Sequence, residues 1–228
     1  MKTKLKNLTL IIISFFFLSQ KSAAQLEIGF GTGASLYFGD LGGSPNSAAY
    51  HIWDLDYQSI RGIGQAFIRM PINDNSKFKL NFAFASIAGN DKFAGDHEIR
   101  ERGIRMEGKI AQLAGTINVN LIHKHDIYGI VGIGYLLYCP ISTQNGKSTV
   151  LGGSIFKNSC ISIPLGIGFK IADLNNNSKL AFEIVTHYLN SDMVDGLAGP
   201  TSFSNDNFIT VTLNYSVYIS DCGKSNFN

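Results

Sequence analysis

The 228-residue chain is 45% apolar and only 16% charged, carries a net charge of +2, and contains 24 glycines, 16 phenylalanines and 9 tyrosines. With no clustered basic face there is no electrostatic basis for a nucleic-acid partner. No run after the N-terminus approaches the roughly 20 apolar residues of a membrane-spanning helix, so glycine, aromatics and interrupted apolar stretches point to strands.

The chain opens with Lys2, Lys4 and Lys6, continues through an apolar core from Leu8 to Leu18, and reaches the small residues Ser22-Ala23-Ala24. This order matches a secretory signal peptide over residues 1–24. The apolar core is too short to serve as an anchor, and the absence of a cysteine at the cleavage region closes the lipoprotein route. Export places the three cysteines where disulfides persist.

Beyond the signal, alternation at period two dominates. Leu26, Ile28, Phe30, Leu36 and Phe38 share one face of a first strand, against Glu27, Gly29, Gly31, Gly33 and Ser35 on the other. Weaker alternation covers Ile60–Met70, and clear rows follow at Phe78–Phe84, Leu113–Leu121, Ile127–Leu137, Ile161–Ile171, Leu180–Ile184 and Ile209–Ile219. These are eight strands. The face opposite the apolar rows holds Gly, Ala, Ser, Thr and Asn with scattered charges, Glu27, Arg61, Arg69, Lys79, Lys170 and Glu183. Such a face suits the interior of a narrow closed barrel, where side chains fill the space and charges must pair.

The connections alternate. Short links fall near residues 73–76, 123–126 and 173–178, and long ones near 40–59, 89–105, 140–158 and 190–206. Short inner turns and long outer loops mark outer-membrane barrels. Aromatics at strand ends fit interfacial girdles, with Tyr37, Phe38, Tyr138, Tyr188 and Phe208 outside and Tyr128, Tyr215 and Tyr218 inside. The expectation is an all-β, eight-stranded antiparallel up-and-down transmembrane β-barrel over residues 25–219. Both termini, including the tail 220–228, would then be periplasmic, with lipid around the wall.

Several strings carry chemical suggestions that their context removes. Gly146-Lys147-Ser148-Thr149 lacks the earlier glycine of a phosphate loop, since Ile141 stands there. Gly29-x-Gly31-x-Gly33 lies within a strand rather than between a strand and a helix. His123 and His125 form a His-x-His pair in a short turn and would hold a metal only if another strand supplied further ligands. His187, with Ser191, Asp192 and Asp195 in the adjoining loop, would need a defined nucleophile and base geometry to catalyse. The mixed-sign run Asp96–Arg102 reads as solvated loop surface or a protein contact. Cys139 and Cys160 flank the third long loop and form the candidate disulfide, provided their Cα atoms lie within about 7 Å; Cys222 is left over in the tail. No enzyme activity, cofactor, metal or small-molecule substrate is expected.

Local motifs add a resemblance. Glu27-Ile28-Gly29 and Tyr37-Phe38-Gly39-Asp40-Leu41, then Arg102 and Glu107, then Thr186-His187-Tyr188-Leu189-Asn190-Ser191-Asp192, are similar to motifs of the PorG-like family of small outer-membrane barrels in Bacteroidetes-type bacteria. In the last string the family shows a Thr-Asp-Tyr-Leu-Asp-Asp-Val-like sequence, from which this chain departs. The resemblance implies a non-enzymatic component of the type IX secretion system. Its implied partners are the periplasmic ring lipoprotein and that lipoprotein's partner protein. The runner-up reading is a structural or adhesive surface barrel acting through its outer loops.

Overall fold

The computed structural model describes residues 26–38, 59–93, 97, 101, 103–122, 126–144, 147–150, 158–175, 177–191, 194 and 206–219. The signal segment, the tail with Cys222, the His123/His125 pair, and Gly39, Asp40, Leu41 and Arg102 lie outside these residues.

Among the described residues nine strands follow in chain order: β1 Leu26–Phe38, β2 Arg61–Asn73, β3 Ser76–Asn90, β4 Ile104–Ile122, β5 Ile127–Gln144, β6 Lys147–Val150, β7 Asn158–Asn175, β8 Ser178–Leu189 and β9 Asn207–Ile219. Eight form the wall. Their order is β4-β3-β2-β1-β9-β8-β7-β5, every pair is antiparallel, and the β4–β5 pairing closes the sheet. The ninth, β6, is a four-residue strand that pairs with the end of β5 outside the wall. The expected count of eight therefore describes the barrel, and most strands run further than the clearest alternation indicates, as in β3 and β4.

The pairing fixes the geometry. A row of paired residues followed from Ile161 through Tyr135, Leu113, Phe82, Ala66, Phe30, Tyr215 and Leu180 returns to β7 at Ala172. The return point lies eleven residues further along β7, or ten once the register shift at Ile171 is discounted. A shear of ten over eight strands, at about 3.3 Å per residue and about 4.8 Å between strands, sets a tilt of about 41°. Strands this oblique around so few neighbours leave a lumen only one or two side chains deep on each wall.

Alternation sorts the residues as the tilt requires. Ile28, Phe30, Phe82, Leu113, Ile133 and Ile163 are exposed on the outside, while Glu27, Arg69, Lys79, Asn81, Gln112 and Asn214 are buried inside. The outward row Ile161, Ile163, Leu165, Ile167, Phe169, Ile171 spans about 25 Å along the barrel axis at this tilt. That equals the height of a lipid-facing band, about 25 Å. Aromatic placement departs from the girdle expectation. Phe38, Tyr188 and Tyr215 face outward, but Tyr37, Tyr128, Tyr138 and Phe208 are buried on the inner face because their positions share its parity. Tyr218 also turns inward.

If hydrocarbon surrounds this belt, Leu165→Arg at its middle costs about 2–4 kcal/mol, and Ile161→Arg at its rim about 0–1 kcal/mol. Urea unfolding of vesicle-inserted protein measures both, and equal costs at the two depths contradict the placement.

Candidate functional site

The lumen contains three layers, and the nearest to the short turns is ionic. Arg69 on β2 donates through Nη1 to Glu27 Oε1 on β1 and through Nη2 to Glu183 Oε1 on β8 at 3.1 Å. Lys79 Nζ donates to Glu183 Oε2 at 2.6 Å, Lys179 Nζ to Glu27 Oε2 at 2.7 Å, and the Tyr128 hydroxyl to Glu183 Oε1 at 2.8 Å. Four strands and one tyrosine thus share two carboxylates. Arg69 and Lys79 also lie over the Phe67 ring, at 4.9 and 4.5 Å from its centre. Both carboxylates are 1% exposed. At the mouth, Lys77 approaches Glu27 at 3.7 Å, and Lys170 bridges Asp126 at 2.7 Å and Asp173 at 3.0 Å.

Glycine makes room for these groups. A Cβ on Gly29 would overlap the Phe67 ring, and one on Gly168 would overlap the Tyr128 ring. The large luminal side chains therefore lie across positions where the neighbouring strand has none.

The middle layer is polar and neutral. Gln112 Nε2 donates to Ser162 Oγ at 2.6 Å and faces His187 Nδ1 at 3.1 Å. A donor on Nδ1 assigns the ring proton to Nε2, which faces Thr210 Oγ1 at 3.2 Å. Gln65 Nε2 donates to Asn214 Oδ1 at 2.6 Å and Thr212 Oγ1 at 3.2 Å. A cavity of about 20 Å³ lies among these residues, bounded also by Asn81, Thr116 and Glu183. It has room for a water molecule, which would satisfy the buried Asn81 Oδ1 left without a protein partner.

The loop-end layer is apolar. Tyr37, Ile63, Ile87, Met106, Ile110, Leu136, Tyr138, Leu189 and Phe208 form one buried cluster across the lumen. Phe208 stacks on the His187 ring, centres 4.2 Å apart and planes parallel within 1°. Asp206 ties the layer to the loops by accepting from the Tyr37 hydroxyl and from the backbone N–H of Val194 at 2.8 Å.

The motif residues do not converge on one place. Glu27 and Gly29 belong to the ionic layer, Tyr37 and Leu189 to the apolar plug, and Tyr188 faces outward. Glu107 is exposed on β4, where Arg105 donates to it at 2.6 Å. His187 and Ser191 are separated in role: both ring nitrogens of His187 are engaged inside the lumen, and Ser191 Oγ lies 3.2 Å from the Tyr138 hydroxyl. Within the Asp96–Arg102 run, His97 Nδ1 and Glu101 Oε1 are 3.4 Å apart and exposed. The Cys139–Cys160 disulfide is not formed; both thiols are free. The reason is parity: Cys160 is buried on the inner face opposite Leu136, whereas Cys139 falls on the outer face of β5. Lys179, Tyr128 and Gln112 were not singled out as luminal partners from the sequence. Extending the alternation of β8 by one residue toward its turn would have placed Lys179 beside Glu183's face.

Two outcomes follow. Glu183→Gln leaves Arg69 and Lys79 as buried cations short of a counter-charge and destabilises the barrel by about 3–5 kcal/mol in denaturant titrations, whereas adding Lys79→Met, which leaves Glu27 to pair with Arg69 and Lys179, restores much of the loss. Alkylation after denaturation labels Cys139 and Cys160 without prior reduction, and labelling that requires reductant contradicts the free thiols.

Comparison with known proteins came to the same fold. A major outer membrane protein from Thermus thermophilus superposes with a TM-score of 0.52 at 12% identity, over 87% of this chain and 100% of that one. Neisserial surface protein A (NspA) matches at 0.48 and 10% identity, over 87% and 98%. Ail, the attachment invasion locus protein of Yersinia pestis, matches at 0.42 and 12% identity, over 86% and 97%. No curated protein matches the chain. The family model described as a domain of unknown function, DUF6089, matches residues 6–218, and the chain belongs to that family.

Proposed function

We propose that this protein is a non-conducting barrel of the outer membrane whose wall serves as an anchor for other proteins, and that it performs no catalysis. The observation that carries this reading is the filled lumen. An ionic layer, a hydrogen-bonded layer and an apolar plug lie in series, and the cavity between them holds little more than a water molecule. Eight strands leave no wider path. The apolar belt of about 25 Å supports insertion in a bilayer, and the alternation of short and long connections supports periplasmic turns and termini. Following the motif resemblance, the anchored partner is the periplasmic ring of the type IX secretion machinery, engaged through the turns and tail.

A second reading, a surface barrel acting through its loops, is favoured by the wall itself. Strands β3, β4 and β5, with β6 at the edge, continue past the apolar belt on the loop side only.

Purification in mild detergent separates the two. Recovery of the ring lipoprotein and its partner, together with loss of type IX export when the gene is deleted, supports the anchor. Normal export after deletion removes it. Planar bilayers carrying the purified barrel are expected to stay silent, and steady single-channel currents contradict the closed lumen.

A further inference from the structure

Among the described residues, charge on the outside of the wall is confined to one place. Among the described strand residues, those that point outward are uncharged on seven of the eight wall strands. The exception is β4, where Arg105, Glu107 and Lys109 follow one another on the outer face. Their height can be read from the shear. At a tilt of about 41°, each residue along a strand rises about 2.5 Å, and each strand crossed along the paired row from Ile161 toward Leu113 descends about 3.2 Å. Lys109 then lies about 4 Å above the level of Ile161, the top of the apolar belt, and Arg105 about 14 Å above it.

The surroundings of Lys109 are open. Lys109 is exposed, and its partners across the sheet, Ser86 on β3 and Cys139 on β5, are both small. Glu107 is already engaged by Arg105 at 2.6 Å and Arg61 at 3.6 Å, and no carboxylate among the described residues pairs with Lys109. An ammonium group at the edge of the hydrocarbon, directed away from the barrel, meets the headgroup layer, where its aliphatic stem lies along apolar surface and its charge reaches the polar zone.

We propose that the outer face of β4 binds a phosphorylated glycolipid, with Lys109 on a phosphate at the acyl boundary and Arg105 in the saccharide layer above it. The proposal rests on the membrane-spanning reading and names the lipid chemistry that this part of the wall selects. A glycolipid is favoured over a glycerophospholipid because the two cations stand about 10 Å apart along the membrane normal, a span that a phosphorylated sugar headgroup covers and a single phosphodiester does not. The small flanking residues leave space for such a headgroup against the wall.

The test is native mass spectrometry of the full detergent-purified barrel titrated with bisphosphorylated lipid A, its dephosphorylated counterpart and phosphatidylglycerol. Heat-modifiable gel mobility, read first, reports whether each variant is a folded barrel. That readout separates failure of the spanning reading from failure of the lipid site. The expected result is preference for the bisphosphorylated lipid, weakened roughly fivefold by Lys109→Ala, retained in Lys109→Arg and unchanged in Lys92→Ala, a lysine in the loop beyond β3. Lys109→Gln serves if the alanine variant fails to fold. Equal binding of phosphorylated and dephosphorylated lipid, equal binding of phosphatidylglycerol, or the same loss from Lys92→Ala overturns the proposal. So does unchanged lipid binding in Lys109→Ala accompanied by loss of a co-purifying protein, which would assign the patch to a protein contact.

Discussion

Closure of the sheet is the constraint on which the rest of this structure depends. Inside a bilayer core an unpaired backbone N–H or C=O costs several kcal/mol, so a strand can cross only if both its edges are paired. The β4–β5 pairing meets that requirement by joining the ends of the chain of neighbours. With eight strands and a shear of ten, the tilt and the width follow, and so does the narrowness of the lumen. Strands β4 and β5 are longer than the tilt requires, and their surplus length projects on the loop side.

A narrow lumen must then be filled, and two kinds of filling divide it. Toward the turns the space is taken by long charged side chains that cross it, with glycines beneath the Phe67 and Tyr128 rings admitting them. Their mutual pairing keeps buried charge from becoming a large penalty, and it links β1, β2, β3 and β8 across the interior rather than along the sheet. Toward the loops the filling is apolar, and Asp206 connects it to the loop backbone at Val194. Between the two layers lie neutral polar groups, with space for little beyond a water molecule.

This arrangement separates two jobs. The interior packs the lumen and ties the strands to one another across it. Through the belt the described outward side chains are uncharged, and charge appears on β4 where the belt ends. At Gly103 the chain enters β4 with φ of +63°, a conformation glycine adopts without the clash a Cβ brings, and it is from there that the charged stretch begins.

By itself the sequence determined the class and the faces. Period-two alternation assigned Ile28 and Phe30 to one side of β1 and Glu27 and Gly29 to the other, because a pleated strand permits no other arrangement. The alternation of short and long connections was equally legible, since turn residues are local. What tertiary structure alone decided was who meets whom across the lumen. Glu27 and Glu183 are 156 positions apart, and nothing local to either tells that Arg69 bonds both; the shear does, by bringing β1, β2 and β8 to one height. Parity within each strand put Cys139 and Cys160 on opposite faces and turned Tyr37, Tyr138 and Phe208 inward; closure of the sheet then gathered those rings into one plug. A strand's own pattern states which side a residue takes, but closure of the whole sheet is needed to state what that residue finds there.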